Sequence, residues 1–373
     1  MDKNEFRDKL MTGGLTRRQI VKGMSAVGLA LVTMPMIARP GRAADKLTVF
    51  TWGGYELPEF HTDYTAKHGH SPGFSLYADN DEAFQKVNAG YRPDFVAPSS
   101  LMVGRFRDAG LIRPIDVSRI PNYADLFDKL KELRGTRMEG KHWYIPWDWG
   151  NSSIVFRTDL VDPKYIEEHT WTILWDKRYA GRIATNDQMD SVIIPAALVL
   201  GVEDPFNMND EELAEVGKLI AEQKPLLRYY WSGQAEMEQA MANGELVASY
   251  SWNDSVARLK QEGIPVEYMT PKEGILSWVD GYCLIAGGPG DEDAAYDFLD
   301  AIISPEAGKA LIEAYNYGSS NAKAFPLVDQ ALLAAVGIDK PEEVMDKGVF
   351  FEAIPGALRD KYMAVFNEVK FSE

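Results

Sequence analysis

Trp278 and Asp280 lie two residues apart in the stretch Pro271–Ile285, where a Lys272-Glu273-Gly274 turn gives way to alternating and then continuously apolar residues. That pattern reads as a strand entering a core, and on a strand the indole and the carboxylate leave by one face. The pair suits a ligand that is cationic and partly apolar, because the ring offers its negative π-face and the carboxylate a charge partner. A core tryptophan beside a strand-end acid is the plainer account of these two residues alone. Other side chains of the same chemistry recur along the chain. Trp52 and Tyr55 follow the first strand, Ser99 follows another, and Trp252 closes a third. Asp187 and Asp190 are three apart at a helix start, so both project to one side; helix capping competes with ligand contact there. Trp147 and Trp231 read as core residues and Asp254 as a cap, while Asp148 lies in a hinge-like run from which it can reach a cleft.

The elements that must position these side chains follow a strand–helix–strand order. Residues 46–52, 74–77 and 93–98 read as strands, with helices over 58–67, 81–88 (Asn80 as its cap) and 99–109. Short joints between them argue for a parallel, doubly wound sheet, whose ligands lie outside the carboxyl ends of the strands. Trp52, Tyr55, Ser99 and Ser100 stand at those ends. The aromatic run from Trp143 to Ser153 reads as a crossing between lobes. Further on, strands are expected at 154–156, 181–185 and 245–252. Helices are expected at 171–175, 210–223, 232–243, 254–261, 291–303 and 305–315, and a helical tail runs from about Leu327 to about Lys370.

At 373 residues, with 46% hydrophobic and 25% charged side chains, the chain has the composition of a soluble globular protein of two domains. Its formal net charge is −17 although the first 44 residues carry eight basic and only three acidic side chains, so the remaining body is strongly acidic. Such a body repels nucleic acid and anionic lipid and favours cationic solutes. The single cysteine, Cys283, excludes an internal disulfide and reads as a buried thiol. Arg17-Arg18 precede an apolar run from Met24 to Ile37, and Gly41-Arg42-Ala43-Ala44 follow. These are the parts of a secretory signal with the paired arginines of twin-arginine export, cleaved near Ala43. The run is short for a membrane span and is broken by Pro35. The expected destination is the periplasm.

Taken in order, Thr51-Trp52, Pro98-Ser99-Ser100, Tyr144-Ile145-Pro146, Trp149-Gly150 and Pro271-Lys272-Glu273-Gly274 leading to Trp278-Val279-Asp280 resemble the periplasmic spermidine/putrescine-binding proteins of ABC importers. The resemblance covers nearly all of the chain after the signal. It implies an α/β, two-lobed periplasmic-binding-protein fold of type II, each lobe a mixed, mainly parallel sheet flanked by helices. After a signal over 1–43, residues 45–149 with 279–325 form one lobe and 150–278 with 326–373 the other, the ligand cleft lying between them. It also implies a ligand set: Trp52 and Tyr55 as an aromatic pair, Ser99 as a polar cleft residue, and Asp187 and Asp190 at one amine. Ser232 supplies a hydroxyl, Trp252 and Trp278 the stacking walls, Asp280 the carboxylate for a second amine, and Tyr317 a late aromatic wall. The partners implied are a small cationic amine and a membrane ABC permease, and the protein is expected to be a monomer without a cofactor. Gly53-Gly54 stands where that family often has a polar–acidic dipeptide. Leu101 stands where a tyrosine occurs, and Phe351 falls near a polar position of spermidine binders. A small methylated amine, betaine-like, is therefore the alternative ligand.

Other chemistries find less support. Tyr229-Tyr230 suggests the paired phenolates of a ferric-ion binder, but further ligands are missing. His61, His68 and His70 lack the spacing of a metal motif. Gly287-Gly288-Pro289-Gly290 has no following Gly-Lys-Ser/Thr, no Gly-x-Ser-x-Gly elbow is present, and an exported amine-processing enzyme has no motif to stand on.

Overall fold

Thr48-Val49-Phe50-Thr51-Trp52, a run of β-branched and aromatic residues, forms the first strand of a computed structural model that describes residues 47–372. The paired arginines, the apolar run and the cleavage site near Ala43 lie outside the described residues. In chain order the strands are β1 (Thr48–Trp52), β2 (Gly73–Tyr77), β3 (Phe95–Val96), β4 (Ile112–Arg113), β5 (Arg137–Met138), β6 (Lys141–His142) and β7 (Ile145–Arg157). They continue as β8 (Ile183–Asn186), β9 (Leu227–Trp231), β10 (Ala248–Trp252), β11 (Val266–Tyr268), β12 (Ile275–Ile285), β13 (Gly318–Ser319) and β14 (Gly348–Phe350). All but β5 and β6 join one continuous sheet whose main path runs β2-β1-β3-β12-β7-β10-β8-β9.

Two long strands make the fold two-lobed. β12 pairs through Cys283–Ile285 with β3 and β4 and through Leu276–Tyr282 with β7, whose far half pairs with β10. The pairs joined by helices, β1 with β2 and β3 and β8 with β9 and β10, are parallel, because a helical crossover returns the chain to the same end of the sheet. The antiparallel pairs come from β7 and β12 themselves, which makes the sheet mixed. Every residue of β12 is buried, as a strand covered on both faces must be. One buried cluster gathers Val49, Phe95, Tyr282 and Leu284 under the helix Glu292–Ile302. The larger one runs from Trp149 and Ile154 through Ile183 and Ala248 to the helices Asp190–Val199 and Asp210–Gln223. No helix among the described residues is long and apolar enough to cross a membrane.

Local differences from the sequence reading have local causes. The helix Asn80–Asn88 is capped by Asp79, whose carboxylate accepts from the Glu82 amide, and Asn80 is thereby freed for another task. The helix expected from Ser232 starts at Gln234, and the one expected over 171–175 is a 3₁₀ turn. The expected helical tail is interrupted: after Pro341–Lys347 the chain runs as β14 along the free edge of β12 before the final helix Gly356–Phe371. An open strand edge offers unpaired backbone groups that a helix would have left unsatisfied.

Candidate functional site

The carboxyl ends of β1 and β10 and the middle of β12 converge on a cavity of about 280 Å³. At its base stands Asp280, which is 7% exposed. The Ser99 hydroxyl donates to Asp280 Oδ1 at 2.5 Å, and the Tyr55 hydroxyl lies 3.2 Å from Oδ2. Asn80 clamps Ser99 from both sides: its Oδ1 accepts from the Ser99 amide and its Nδ2 donates to the Ser99 hydroxyl, each at 3.1 Å. Burial pushes the Asp280 carboxyl up to about 6, against the pull of the Ser99 and Tyr55 hydrogen bonds.

Aromatic rings form the walls. Trp278 meets Tyr317 edge-on at 4.8 Å between ring centres, and Trp52 meets Tyr77 at 4.7 Å. Trp252 is braced by the fully buried Trp231 at 5.3 Å, and Tyr55 by the equally buried Trp147 at 4.5 Å. The props fix the wall rings in place, as two flat side chains locked edge to face lose little further freedom on binding. Gly150 lies directly under the six-membered ring of Trp278, where no side chain fits.

Of the residues expected to contact a ligand, the structure brings Trp52, Tyr55, Ser99, Asp190, Trp252, Trp278, Asp280 and Tyr317 together around this cavity. Asp187 and Ser232 do not line it. Lys370, on the last helix and 183 residues further along, pairs with Asp187 at 2.5 Å. Ser232 is exposed ahead of its helix, and Gln234, two residues on, lines the cleft instead. Asp190 is partly buried, and desolvation raises its carboxyl while Arg359 opposes the rise.

Several lining residues escaped the sequence reading: Asn80, Ser152, Gln188, Gln234, Tyr250 and Tyr315. Tyr250 carried a signal, since it stands two residues before the wall aromatic Trp252 on the same strand. Asp148, the acid within reach of the cleft, is fully buried behind it and bonded to Tyr55 at 2.6 Å. Leu101 and Phe351 both line the cavity, as does Gly53, whose Cβ position opens on empty space. Gly54 has φ +98°, and a Cβ there would stand 2.7 Å from the Tyr315 hydroxyl, so an acid fits at position 53 and not at 54. Tyr229 and Tyr230 follow one another on β9 and so point to opposite faces, which prevents both from meeting one ion. Among the described residues no group of three or more His, Cys, Asp or Glu is placed to hold a metal ion.

A two-lobed α/β body whose crossing strands carry an acid and aromatic walls to one cleft has the architecture of an extracytoplasmic solute-binding protein. The chain belongs to the bacterial extracellular solute-binding protein family, whose model matches residues 61–335. It is similar to the spermidine/putrescine-binding periplasmic protein of Salmonella typhimurium, 26% identical over 313 residues that cover 83% of this chain and 84% of that one. It is likewise similar to the putrescine-binding periplasmic protein SpuD of Pseudomonas aeruginosa, 25% identical over 358 residues, 92% of this chain and 97% of the relative. Among solved structures, the spermidine/putrescine ABC transporter substrate-binding protein PotD of Streptococcus pneumoniae shares the fold with a TM-score of 0.72. That match has 21% identity and covers 87% of this chain and 98% of the other.

Proposed function

We propose that this chain captures a linear polyamine, putrescine or spermidine, in the cleft and hands it to an ABC permease in the membrane. The observation that carries the reading is the buried Asp280 carboxylate at the base of a cavity walled by Trp52, Trp252, Trp278 and Tyr317. A desolvated ammonium needs a charge partner and hydrogen bonds, and the methylenes between amines need apolar faces. Asp190, elsewhere in the lining, is the acid for a second amine; Asp187 and Ser232 drop out of the ligand set. Capture involves no covalent step, so the protein acts as a binder and not as an enzyme. Action in the periplasm belongs to the same reading, and the names of the relatives support it; export by the twin-arginine route rests on the paired arginines Arg17-Arg18 ahead of the apolar run.

Leu101 and Phe351 in the lining, and the absence of a side chain at Gly53, favour a second reading, a small methylated amine. Calorimetric titration of the mature protein with putrescine, spermidine and glycine betaine, with tryptophan fluorescence followed in parallel, separates the two. One-to-one binding of a polyamine is the expected result. Asp280→Asn should weaken it by about tenfold or more, because a buried cation loses its charge partner. Binding of glycine betaine with silence from both polyamines would replace the first reading by the second.

A further inference from the structure

Asp148 is a buried acid that polyamine capture, as described, leaves without a task. It lies on β7 directly opposite Asp280 of β12, is fully buried and does not line the cleft. The Tyr55 hydroxyl bridges the two acids, 2.6 Å from Asp148 Oδ2 and 3.2 Å from Asp280 Oδ2. A phenol donates one proton, so with both acids ionised one of these two approaches would set oxygen against oxygen with no proton between them. No lysine, arginine or histidine among the described residues stands at ion-pairing distance from either acid. The titratable groups that face the pair from neighbouring elements are Tyr77, Tyr144, Tyr282 and Tyr317, with Cys283 behind them, and burial holds all of these neutral. Asp148 Oδ1 is buried without a partner. Two uncompensated charges in such surroundings would carry the desolvation cost of both and their mutual repulsion.

We propose that Asp148 and Asp280 hold one proton between them through the Tyr55 hydroxyl, so that this end of the cleft carries a single negative charge and takes a single ammonium group. Asp148 Oδ2–H donates to the Tyr55 oxygen, Tyr55 O–H donates to Asp280 Oδ2, and Ser99 donates to Oδ1. Each of the three protons then has one acceptor, only Asp148 Oδ1 is left without a partner, and the ionised oxygen pair belongs to the acid that faces the cleft. Asp148 is thus a positioning residue: it fixes the phenol proton on Asp280 and keeps a second charge out. Burial, and then the Asp280 charge, raise the Asp148 carboxyl well above the usual carboxylate range, which agrees with this placement. The single-ammonium consequence rests on the proposed polyamine function; the shared proton is a property of the empty protein.

Infrared spectroscopy of the ligand-free protein at about pH 7.5, where free aspartates are fully ionised, tests it directly. A carbonyl band of a protonated carboxylic acid is expected in the wild type and should vanish in Asp148→Asn, whose amide keeps a donor towards Tyr55. Should that variant fail to fold, NMR of the wild type with isotope-labelled aspartate must show one carboxyl still protonated at this pH. A wild type without a protonated carboxyl, or a band that persists in folded Asp148→Asn, would overturn the shared proton. A band present in a protein that binds no amine would support the shared proton while refuting the polyamine reading.

Discussion

The acid at the base of the cleft has a price in stability that depends on pH. Asp280 keeps its proton up to about pH 6 in the folded protein, whereas a free aspartate releases it near pH 4. The folded state therefore binds this proton more tightly. The stabilisation that results is complete below about pH 4 and is lost as the pH rises through about 6. Asp280→Asn cannot ionise, so its thermal stability should gain on the wild type by roughly 1–3 kcal/mol between about pH 4 and about pH 7. Melting curves of both proteins across that range check the point, and a difference that stays constant would show that Asp280 is ionised throughout. A cation bound at Asp280 needs the ionised form, so amine affinity runs the other way and falls as the pH drops through about 6.

At the scale of elements, the cleft depends on how closely β7 and β12 can approach. Their register sets Trp278 opposite Gly150 and Asp280 opposite Asp148. Glycine at position 150 leaves the room that the Trp278 ring occupies. Gly150→Ala should push that ring into the cavity, lowering amine affinity by about tenfold and stability by roughly 1–3 kcal/mol. Titration and thermal melting measure both, and a variant that melts lower but binds as before would show that Trp278 is not a ligand wall. The helix Gly356–Phe371 acts at the same scale: its Lys370 pairs with Asp187, which does not line the cavity, and its Arg359 bonds to Asp81 at the far side of the chain order.

For the whole molecule, the walls of the cleft stand together: Tyr55, Ser99, Trp278 and Asp280 are all buried although they line a cavity. A ligand held between such walls contacts both lobes at once, and those contacts favour closure. Small-angle scattering should therefore give a smaller radius of gyration with saturating polyamine than without it, and identical profiles would count against capture by closure. The strong negative charge of the body acts at this scale too, raising the local concentration of cations around the cleft mouth.

Period-two alternation, turn residues and the order of apolar runs were enough to locate most strands and helices, because each depends on neighbours within a few residues. They also placed Trp278 and Asp280 on one face, since that follows from the pleat alone. The β14 strand was not legible, because it forms against an edge of β12 more than 60 residues earlier in the chain. The fate of an acid was not legible either. Asp187 and Asp148 look alike as charged residues near a cleft, yet one finds a lysine and the other is sealed behind Tyr55 against a second acid. Charge partners and desolvation are set by groups distant in sequence, so only the tertiary structure decided which carboxylates line the cleft and which is sealed behind it.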